Sequence, residues 1–411
     1  MKRIISCVAA LLLALTTIPS AQAAFVIGGE NGWQLSTDGI VDIFGHYRTT
    51  SQAPDATTHP LALLGNNDQN FGVTVGLLPS VIAFNVKAPT VNGVDSTVRI
   101  GIYPSLQNKS QGSRLDTSPN IDFRELFYTA KGKYGEFLAG RALNLYQGKN
   151  ILTDMTLLTV GVVPGSVGST TLGHIAYGYL YTNFGPQFRY TTPDLGGVKV
   201  ALSVAEPYNI SADTAKTPTP RIETEISYAT VFGGGSTLQA WASGLYQTAT
   251  RSSSAAFRPG SENHSLGGAA GAEVGFSGVS LLASGYLGEG LGMVSAQDGD
   301  LGATGLSSTD FVGKERTQWG FLAQATYKLT PDVKIGVNYG QTRQEKTDDD
   351  KTRASSPFIL KKKQEAAVAM VAYNFNKFTQ FIAEYTYAQD TWHDGATNHS
   401  NSFAVGTMFY W

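Results

Sequence analysis

Apolar and polar residues alternate along this chain with a period of two, in runs of ten or more residues. Along 318–329, for example, the apolar side chains share one face: Trp319, Phe321, Ala323, Ala325, Tyr327 and Leu329. Successive side chains of a β-strand point to opposite faces, so this pattern predicts strands with one apolar and one polar face. Globular strands average about five or six residues, whereas a strand that crosses a membrane needs about nine to eleven. The length of the runs therefore favours membrane-spanning strands over a soluble sandwich, which would show the same alternation.

We predict sixteen such strands, at 34–48, 71–88, 95–105, 121–131, 135–146, 183–192, 198–207, 221–231, 236–249, 264–277, 279–288, 316–330, 332–345, 361–375, 377–390 and 401–411. The connections after even-numbered strands are short and rich in residues that favour tight turns. The connections after odd-numbered strands are long and polar: 49–70, 106–120, 147–182, 208–220, 250–263, 289–315, 346–360 and 391–400. Short periplasmic turns and long extracellular loops are typical of outer-membrane barrels. An even number of strands places both termini at the periplasmic end.

The predicted fold class is therefore all-β, a transmembrane antiparallel β-barrel of about sixteen strands. Lipid offers no hydrogen-bond partners, so the edges of the sheet must pair with each other and close it. Side chains do not fill the inside of so wide a barrel, and an aqueous channel remains. We expect inward-facing positions to be polar. Charges such as Glu223, Glu225, Glu273 and Glu384 are then expected simply to solvate the wall.

The first residues have the order of a secretory signal peptide. Lys2 and Arg3 precede an apolar run over 7–18, and an A-x-A cleavage pattern follows at 21–23. The run is shorter than the ~20 apolar residues that a membrane-spanning helix needs. We predict a signal peptide at 1–23 and one barrel domain at 24–411. The only cysteine, Cys7, would leave with the signal peptide, so no disulfide is expected.

Composition excludes several other classes of function. The chain has 30 Lys and Arg against 32 Asp and Glu, a net charge of −2, which offers no strongly basic face for nucleic acid. The sequence contains no G-x-S-x-G, P-loop or H-E-x-x-H motif, so no enzymatic activity is expected. The six histidines are scattered, and no metal or other cofactor is predicted.

The C-terminal strand ends in aromatic residues on one face. Phe403, Val405, Phe409 and Trp411 share that face, and the chain stops at Trp411. An aromatic last residue is similar to the signal by which barrel proteins are recognised for insertion into the outer membrane. Phe409 and Trp411 are therefore predicted to act as an insertion signal.

Several stretches carry residues in a recognisable order: Arg124-Glu125-Leu126-Phe127-Tyr128-Thr129-Ala130-Lys131-Gly132, Lys133-Tyr134-Gly135-Glu136-Phe137, Gly140-Arg141, Thr153-Asp154-Met155 and Phe188-Arg189-Tyr190-Thr191-Thr192-Pro193-Asp194. In this order and spacing they resemble segments of the general trimeric porins of Gram-negative bacteria. The order of strands and loops resembles the family over most of the predicted barrel, whereas the residues themselves resemble it only in these stretches. It implies a homotrimer in the outer membrane, surrounded by lipid and lipopolysaccharide.

The resemblance also implies a constriction site. In that family the third loop, here 147–182, folds into the barrel and its acidic residues face a ladder of arginines on the wall. By match, the ladder comprises Arg124, Arg141 and Arg189, and Asp154 is the loop acid. The alternation groups Arg141 with Phe137 and Ala139, so a lumen position for Arg141 requires either a bulge or that Phe137 also faces inward.

The third loop departs from the family pattern because it has few acidic residues. Asp154 is the only acid in 147–182, and Lys149 lies close to it in sequence. Arg99 and Lys334 fall on inward positions and are further candidates for the pore lining. Rings of Arg or Lys favour anions in a pore, and a narrow cleft of low dielectric constant focuses their field. The sequence thus predicts a preference for anions.

The predicted function is passive diffusion of small hydrophilic solutes and ions through an outer-membrane porin. One alternative is a substrate-selective channel for sugars or small carboxylates. A second is an outer-membrane adhesin or enzyme, which would keep the loops but conduct little.

Overall fold

The structure is a computed structural model that describes residues 25–60, 62–106, 121–165, 170–296, 307–352 and 358–411. The predicted signal peptide at 1–23 lies outside the described residues. None of the helices in this described part of the chain is long and apolar enough to cross a membrane.

The described residues form nineteen strands and two short α-helices. The strands are β1 (Phe25–Gly28), β2 (Gln34–Thr50), β3 (Gln69–Thr74), β4 (Val81–Lys87), β5 (Asp95–Pro104), β6 (Ile121–Gly132), β7 (Gly135–Leu143), β8 (Phe184–Thr191), β9 (Val198–Ala205), β10 (Thr214–Lys216), β11 (Arg221–Phe232), β12 (Ser236–Arg251), β13 (Glu262–Phe276), β14 (Val279–Glu289), β15 (Thr317–Lys328), β16 (Val333–Gln344), β17 (Lys361–Asn374), β18 (Thr379–Trp392) and β19 (Thr397–Tyr410). The helices are α1 (Gly148–Thr153) and α2 (Asp348–Thr352), and 3-10 turns lie at Met155–Leu158 and Gly233–Gly235.

All strand pairs are antiparallel, and the sheet closes on itself. Each long strand pairs with its neighbours in sequence, and β19 pairs with β2 from Tyr410 opposite Ile40 to Ser400 opposite Thr50. β3 and β4 both pair with β2 and together form one strand of the ring. With short β1 and β10 left aside, the ring has sixteen strands, which confirms the predicted fold class.

The two faces of the wall differ as the alternation predicts. On β15, Phe321 and Tyr327 are exposed on the outside, whereas Gln324 and Thr326 are buried on the inside. The exposed side chains of the outer face are largely aromatic or aliphatic, as a lipid-facing surface requires. The inner face is buried because loops fold into the barrel and pack against it.

The connections alternate between long and short, with one exception. Short ones such as 133–134 and 277–278 lie at one end of the barrel, and long ones such as 144–183 lie at the other. The last connection of the long-loop end was predicted at 391–400, but it spans only 393–396. The ladder between β18 and β19 continues to Thr391 opposite Thr397 and shortens it.

The second predicted strand, 71–88, is interrupted. Between β3 and β4 the backbone leaves the ladder, and Gly76 N–H and the Ser80 hydroxyl donate to the buried carboxylate of Asp42 on β2. The freed N–H groups of Leu77 and Leu78 donate to carbonyls of the third loop. The interruption thus attaches the wall to a segment far away in sequence.

Candidate pore and constriction site

The third loop, residues 144–183, lies inside the barrel. Near its start, Asn150 accepts a hydrogen bond from the Trp241 indole of β12 at 3.0 Å. Further along, Met155 N–H donates to the Gln324 side chain of β15 at 2.7 Å. Gly161 N–H donates to Glu384 of β18 at 2.6 Å. The loop therefore folds inward, as the resemblance implies, and runs along the wall from β12 to β18.

An apolar stretch of the loop determines which wall it covers. Leu157, Val160 and Val162 are buried, and Val160 packs with wall residues that point inward: Phe44, Val368, Met370, Ile382 and Met408. The expectation that inward positions are polar is therefore wrong on this side of the barrel. Each fully buried side chain of this kind contributes roughly 1.5–3 kcal/mol relative to exposure. We call this contact between loop and wall the apolar seat.

Leu322 is an apolar residue on the otherwise polar face of its strand, and it belongs to a neighbouring part of the same contact. It lies on the inner face of β15 at 1% exposure and packs with Ile151, Leu157 and Tyr179 of the loop. An apolar residue on the polar face of a strand was thus the sequence signal for this part of the contact.

Asp154 does not face an arginine ladder. Its carboxylate is buried and accepts hydrogen bonds from Thr156 N–H at 2.9 Å, the Tyr179 hydroxyl at 2.7 Å and Asn338 of β16 at 3.1 Å. Both carboxylate oxygens are thus occupied by groups of the loop and of β16 and are buried, so they are not presented to Arg124 and Arg189 across the lumen. The predicted role of Asp154 as the acid opposite the arginines is therefore wrong.

Tyr179 helps to keep Asp154 in place. Burial raises the pKa of Tyr179 well above its ordinary value, and the nearby charge of Asp154 raises it further. The hydroxyl therefore stays protonated and remains a donor. The buried imidazole of His174 also contacts Asn338, at 2.8 Å. Together these groups fix the middle of the loop to β16.

Two predicted lining arginines lie inside the barrel but are paired with acids. Arg99 of β5 contacts Asp38 of β2 at 2.9 Å and Glu125 of β6 at 2.8 Å. Arg124 occupies a bulge in β6, contacts Asp122 at 2.8 Å and lies over the Tyr103 ring at 5.4 Å. Because both cations have acidic partners, their field in the lumen is partly cancelled.

Arg141 lies on the outer face of the barrel. It pairs with Leu126 and Pro186, both exposed on the outside, and its neighbour Gly140 pairs with the buried Gln187. The ladders on either side of β7 show no register shift, so the bulge that a lumen position requires is absent from this strand. The guanidinium donates instead to the carbonyl oxygen of Phe184. The predicted place of Arg141 in the pore lining is therefore wrong.

A chamber of about 510 Å³ lies beneath the start of the loop. Lys149 of α1 and Leu145 bound it on the loop side, and it extends to the short turns at the other end. Arg189 of β8 points into it and donates to the Leu143 carbonyl at 3.3 Å. The lining has five basic side chains, Lys131, Lys133, Lys149, Arg189 and Lys199, against three acidic ones, Glu136, Asp194 and Glu225.

The other predicted site residues lie near the short-turn end. Lys334 faces inward on β16, opposite Lys328, and interacts electrostatically with Glu273. Phe409 is exposed on the outer face of β19, and its ring lies 6.5 Å from that of Trp411. Trp411 exchanges backbone hydrogen bonds with Gly39 of β2, at the place where the barrel closes. The role of these two aromatics in insertion stays a prediction.

A closed antiparallel barrel with an apolar outer face and a loop folded through its lumen defines a channel of the outer-membrane type. The family model of the Gram-negative porins matches residues 8–409 of this sequence. The chain therefore belongs to the Gram-negative porin family, and its location is the outer membrane. Among curated proteins, no sequence matches it.

Solved outer-membrane channels share this fold at low sequence identity. The outer membrane channel DcaP of Acinetobacter baumannii is 16% identical with a TM-score of 0.66, covering 95% of this chain and all of that one. The anion-selective porin from Comamonas acidovorans is 14% identical with a TM-score of 0.62, covering 92% and 100%. Salmonella typhi OmpF, in complex with daunomycin, is 14% identical with a TM-score of 0.57, covering 92% and 98%. At such identities the likeness shows the fold alone.

Proposed function

We propose that this outer-membrane channel lets small hydrophilic solutes and ions diffuse passively and that it favours anions. The observation that carries the proposal is the chamber beneath the loop. Five basic side chains line it against three acidic ones, and the only acid of 147–182 is turned away from it. Fixed charges next to a low-dielectric wall focus the field and concentrate ions of opposite sign.

The basis of this preference differs from the one that the sequence suggested. Arg99 and Arg124 are paired with acids, and Arg141 lies outside, so the proposed selectivity depends on Lys149, Arg189 and Lys199. Lys149 extends from α1 towards Glu225, which interacts with it and with Arg189. The position of α1 therefore brings a basic group of the loop close to a basic group of the wall.

Reversal potentials in planar bilayers under a salt gradient test the proposal. We expect the wild-type channel to favour anions, and the double variant Lys149→Gln/Lys199→Gln to lower the anion-to-cation permeability ratio by roughly two- to tenfold. Lys346→Gln is the matched control, because Lys346 lies in an exposed loop at the opposite end. Cation selectivity of the wild type would overturn the anion preference and leave the channel itself intact.

The same bilayer experiment separates passive diffusion from selective transport. Ohmic conductance that no added sugar or carboxylate blocks is expected for a passive pore. Block by one class of solute at micromolar to millimolar concentration would identify a substrate-selective channel instead.

We also propose that the channel is a homotrimer surrounded by outer-membrane lipid and lipopolysaccharide. One solved protein of the same fold, OmpT of Vibrio cholerae, was determined in a trimer form, with 12% identity to this chain and a TM-score of 0.52. The apolar outer wall offers the surface that such an assembly would bury. Light scattering of the protein in detergent tests this, since a mass of one chain at all concentrations would contradict it.

A further inference from the structure

Two buried glutamates of the barrel wall hold the backbone of the third loop. Glu223 of β11 accepts hydrogen bonds from Leu145 N–H at 2.7 Å and Tyr146 N–H at 3.0 Å. Glu384 of β18 accepts one from Gly161 N–H at 2.6 Å and one from the Thr159 hydroxyl. Both carboxylates are almost fully buried, so each hydrogen bond is made away from water.

The two attachment points lie far apart on the ring. β18 is seven strands further along than β11, close to half of the circumference. Between them run α1 and the 3-10 turn, and Lys149 lies within the span. The segment 145–161 is therefore a strap whose two ends are fixed to opposite parts of the wall, and its course decides how much of the lumen stays open.

The two ends differ in their electrostatic surroundings. Glu223 forms an ion pair with Arg221 at 3.0 Å, and Arg189 also acts on it. Glu384 takes part in none of the ion pairs found among the described residues. The charged group that acts on it from the loop is Asp154, a second carboxylate.

The remaining groups around Glu384 are neutral. Thr386 on the same strand donates to it at 3.3 Å, and its ladder partners on the adjacent strands are Met370 and Ala404. When a proton is taken up, the carboxyl group loses its charge and hence much of its attraction for two donors, because hydrogen bonds to charged groups are the stronger ones. Among the described residues, no cation pairs with Glu384 to oppose that uptake as Arg221 does at the other end.

We propose that Glu223 and Glu384 are positioning residues that hold the two ends of the strap against the wall, and that protonation of Glu384 loosens its β18 end. The constriction then becomes looser in acid, while the Glu223 end stays attached. This inference rests on the proposed function only in that the channel must conduct for the constriction to be measured electrically.

Single-channel recording tests the inference through the noise of the open-channel current. In the wild type we expect noise to rise several-fold, reversibly, between neutral pH and about pH 4, where carboxyl groups titrate. Glu384→Gln should show the raised noise already at neutral pH and no further change in acid. Glu223→Gln should also be noisier at neutral pH but should keep the acid response, since Glu384 is still present.

Glu273→Gln is the matched control. Glu273 is an inward-facing carboxylate that accepts hydrogen bonds from Gln239 and Ser280 of neighbouring strands and none from the described residues of the strap. Neutral-pH noise and acid response should both match those of the wild type. If Glu384→Gln fails to fold, Thr159→Val removes one donor and leaves the carboxylate in place, and it should reproduce half of the effect or more.

Hydrogen exchange of residues 155–163 in detergent gives a second measurement that does not require conduction. Faster exchange in Glu384→Gln than in the Glu273→Gln control is expected. The inference would be overturned if the wild type conducts and the Glu384→Gln variant shows both the same quiet current and the same exchange as the wild type. If the wild type does not conduct, the proposed channel function is overturned. If the strap of Glu384→Gln nevertheless exchanges faster than that of the wild type, the inference about the strap still stands.

Discussion

At the scale of single residues, an ion pair joins one loop to the next at the long-loop end. Arg316, at the end of the sixth long connection, contacts Asp350 of α2 in the seventh at 2.7 Å; the Arg316 side chain is buried, and that of Asp350 is 9% exposed. Burial opposes ionisation of Asp350, but the hydrogen bonds and charge of Arg316 outweigh it and lower its pKa. The pair therefore holds α2 over the barrel at neutral pH.

Neutralising Asp350 should release α2. Removal of one partner of a buried pair costs about 3 kcal/mol, because the other charge is left uncompensated. In Asp350→Asn we expect hydrogen exchange in 347–352 to be about 100-fold faster, measured by mass spectrometry. The exposed neighbour Asp348 supplies the control, and exchange in Asp348→Asn should match the wild type.

The sign of the pH dependence follows from the direction of the shift. A carboxyl group whose pKa is lowered by folding makes its full contribution to the stability of the folded state at pH values above its pKa in the unfolded state. This contribution is lost as the pH falls through the lower pKa of the folded state. α2 should therefore stay protected at neutral and mildly acidic pH and open only in stronger acid. Exchange in 347–352 that rises between pH 7 and pH 5, roughly, would contradict this.

At the scale of elements, the apolar seat holds the third loop in addition to its hydrogen bonds. Leu157 is buried among Ile151, Tyr179 and Leu322. Leu157→Ala should destabilise the packing of the loop by about 2–5 kcal/mol, because a large-to-small change in a packed cluster loses contacts and leaves a cavity. We expect faster exchange in 155–163 and a noisier open-channel current.

The control for this variant is Leu281→Ala on the outer face of β14, where the leucine is exposed to lipid and belongs to none of the buried clusters. It should leave the exchange of the loop unchanged. Equal effects of the two variants would show that the loop does not depend on its apolar seat.

At the scale of the whole molecule, the orientation of each strand face decides whether the chain inserts. Val337 is exposed on the outer face in the middle of β16, whereas Ser227 of β11 lines the chamber. Val337→Arg should lower the stability of the folded barrel in the membrane by ~2–4 kcal/mol, because the arginine places a cation at mid-depth in the lipid. The folded fraction in vesicles, measured from the faster gel mobility of unheated barrel, should fall for Val337→Arg and stay normal for Ser227→Arg.

The sequence by itself determined the wall of this protein. Alternation is a local property, because neighbouring side chains of any strand point to opposite faces, and the lengths of the runs then distinguish a membrane barrel from a soluble sheet. All sixteen strands were therefore found, the second as the two pieces β3 and β4, and their outer ends differ from the predicted ones by a few residues.

Only the tertiary structure decided which inward residues form the site. Gly161 and Glu384 are 223 residues apart in sequence, and their contact exists because the loop crosses a closed ring. Arg141 shows the same limit at shorter range, since its face depends on whether a bulge occurs, which pairing with both neighbouring strands decides. Asp154 could be recognised as the only acid in the loop, but not as the partner of Asn338 on the far wall. Period and composition act between neighbours along the chain, whereas a constriction is made by side chains that meet across the lumen.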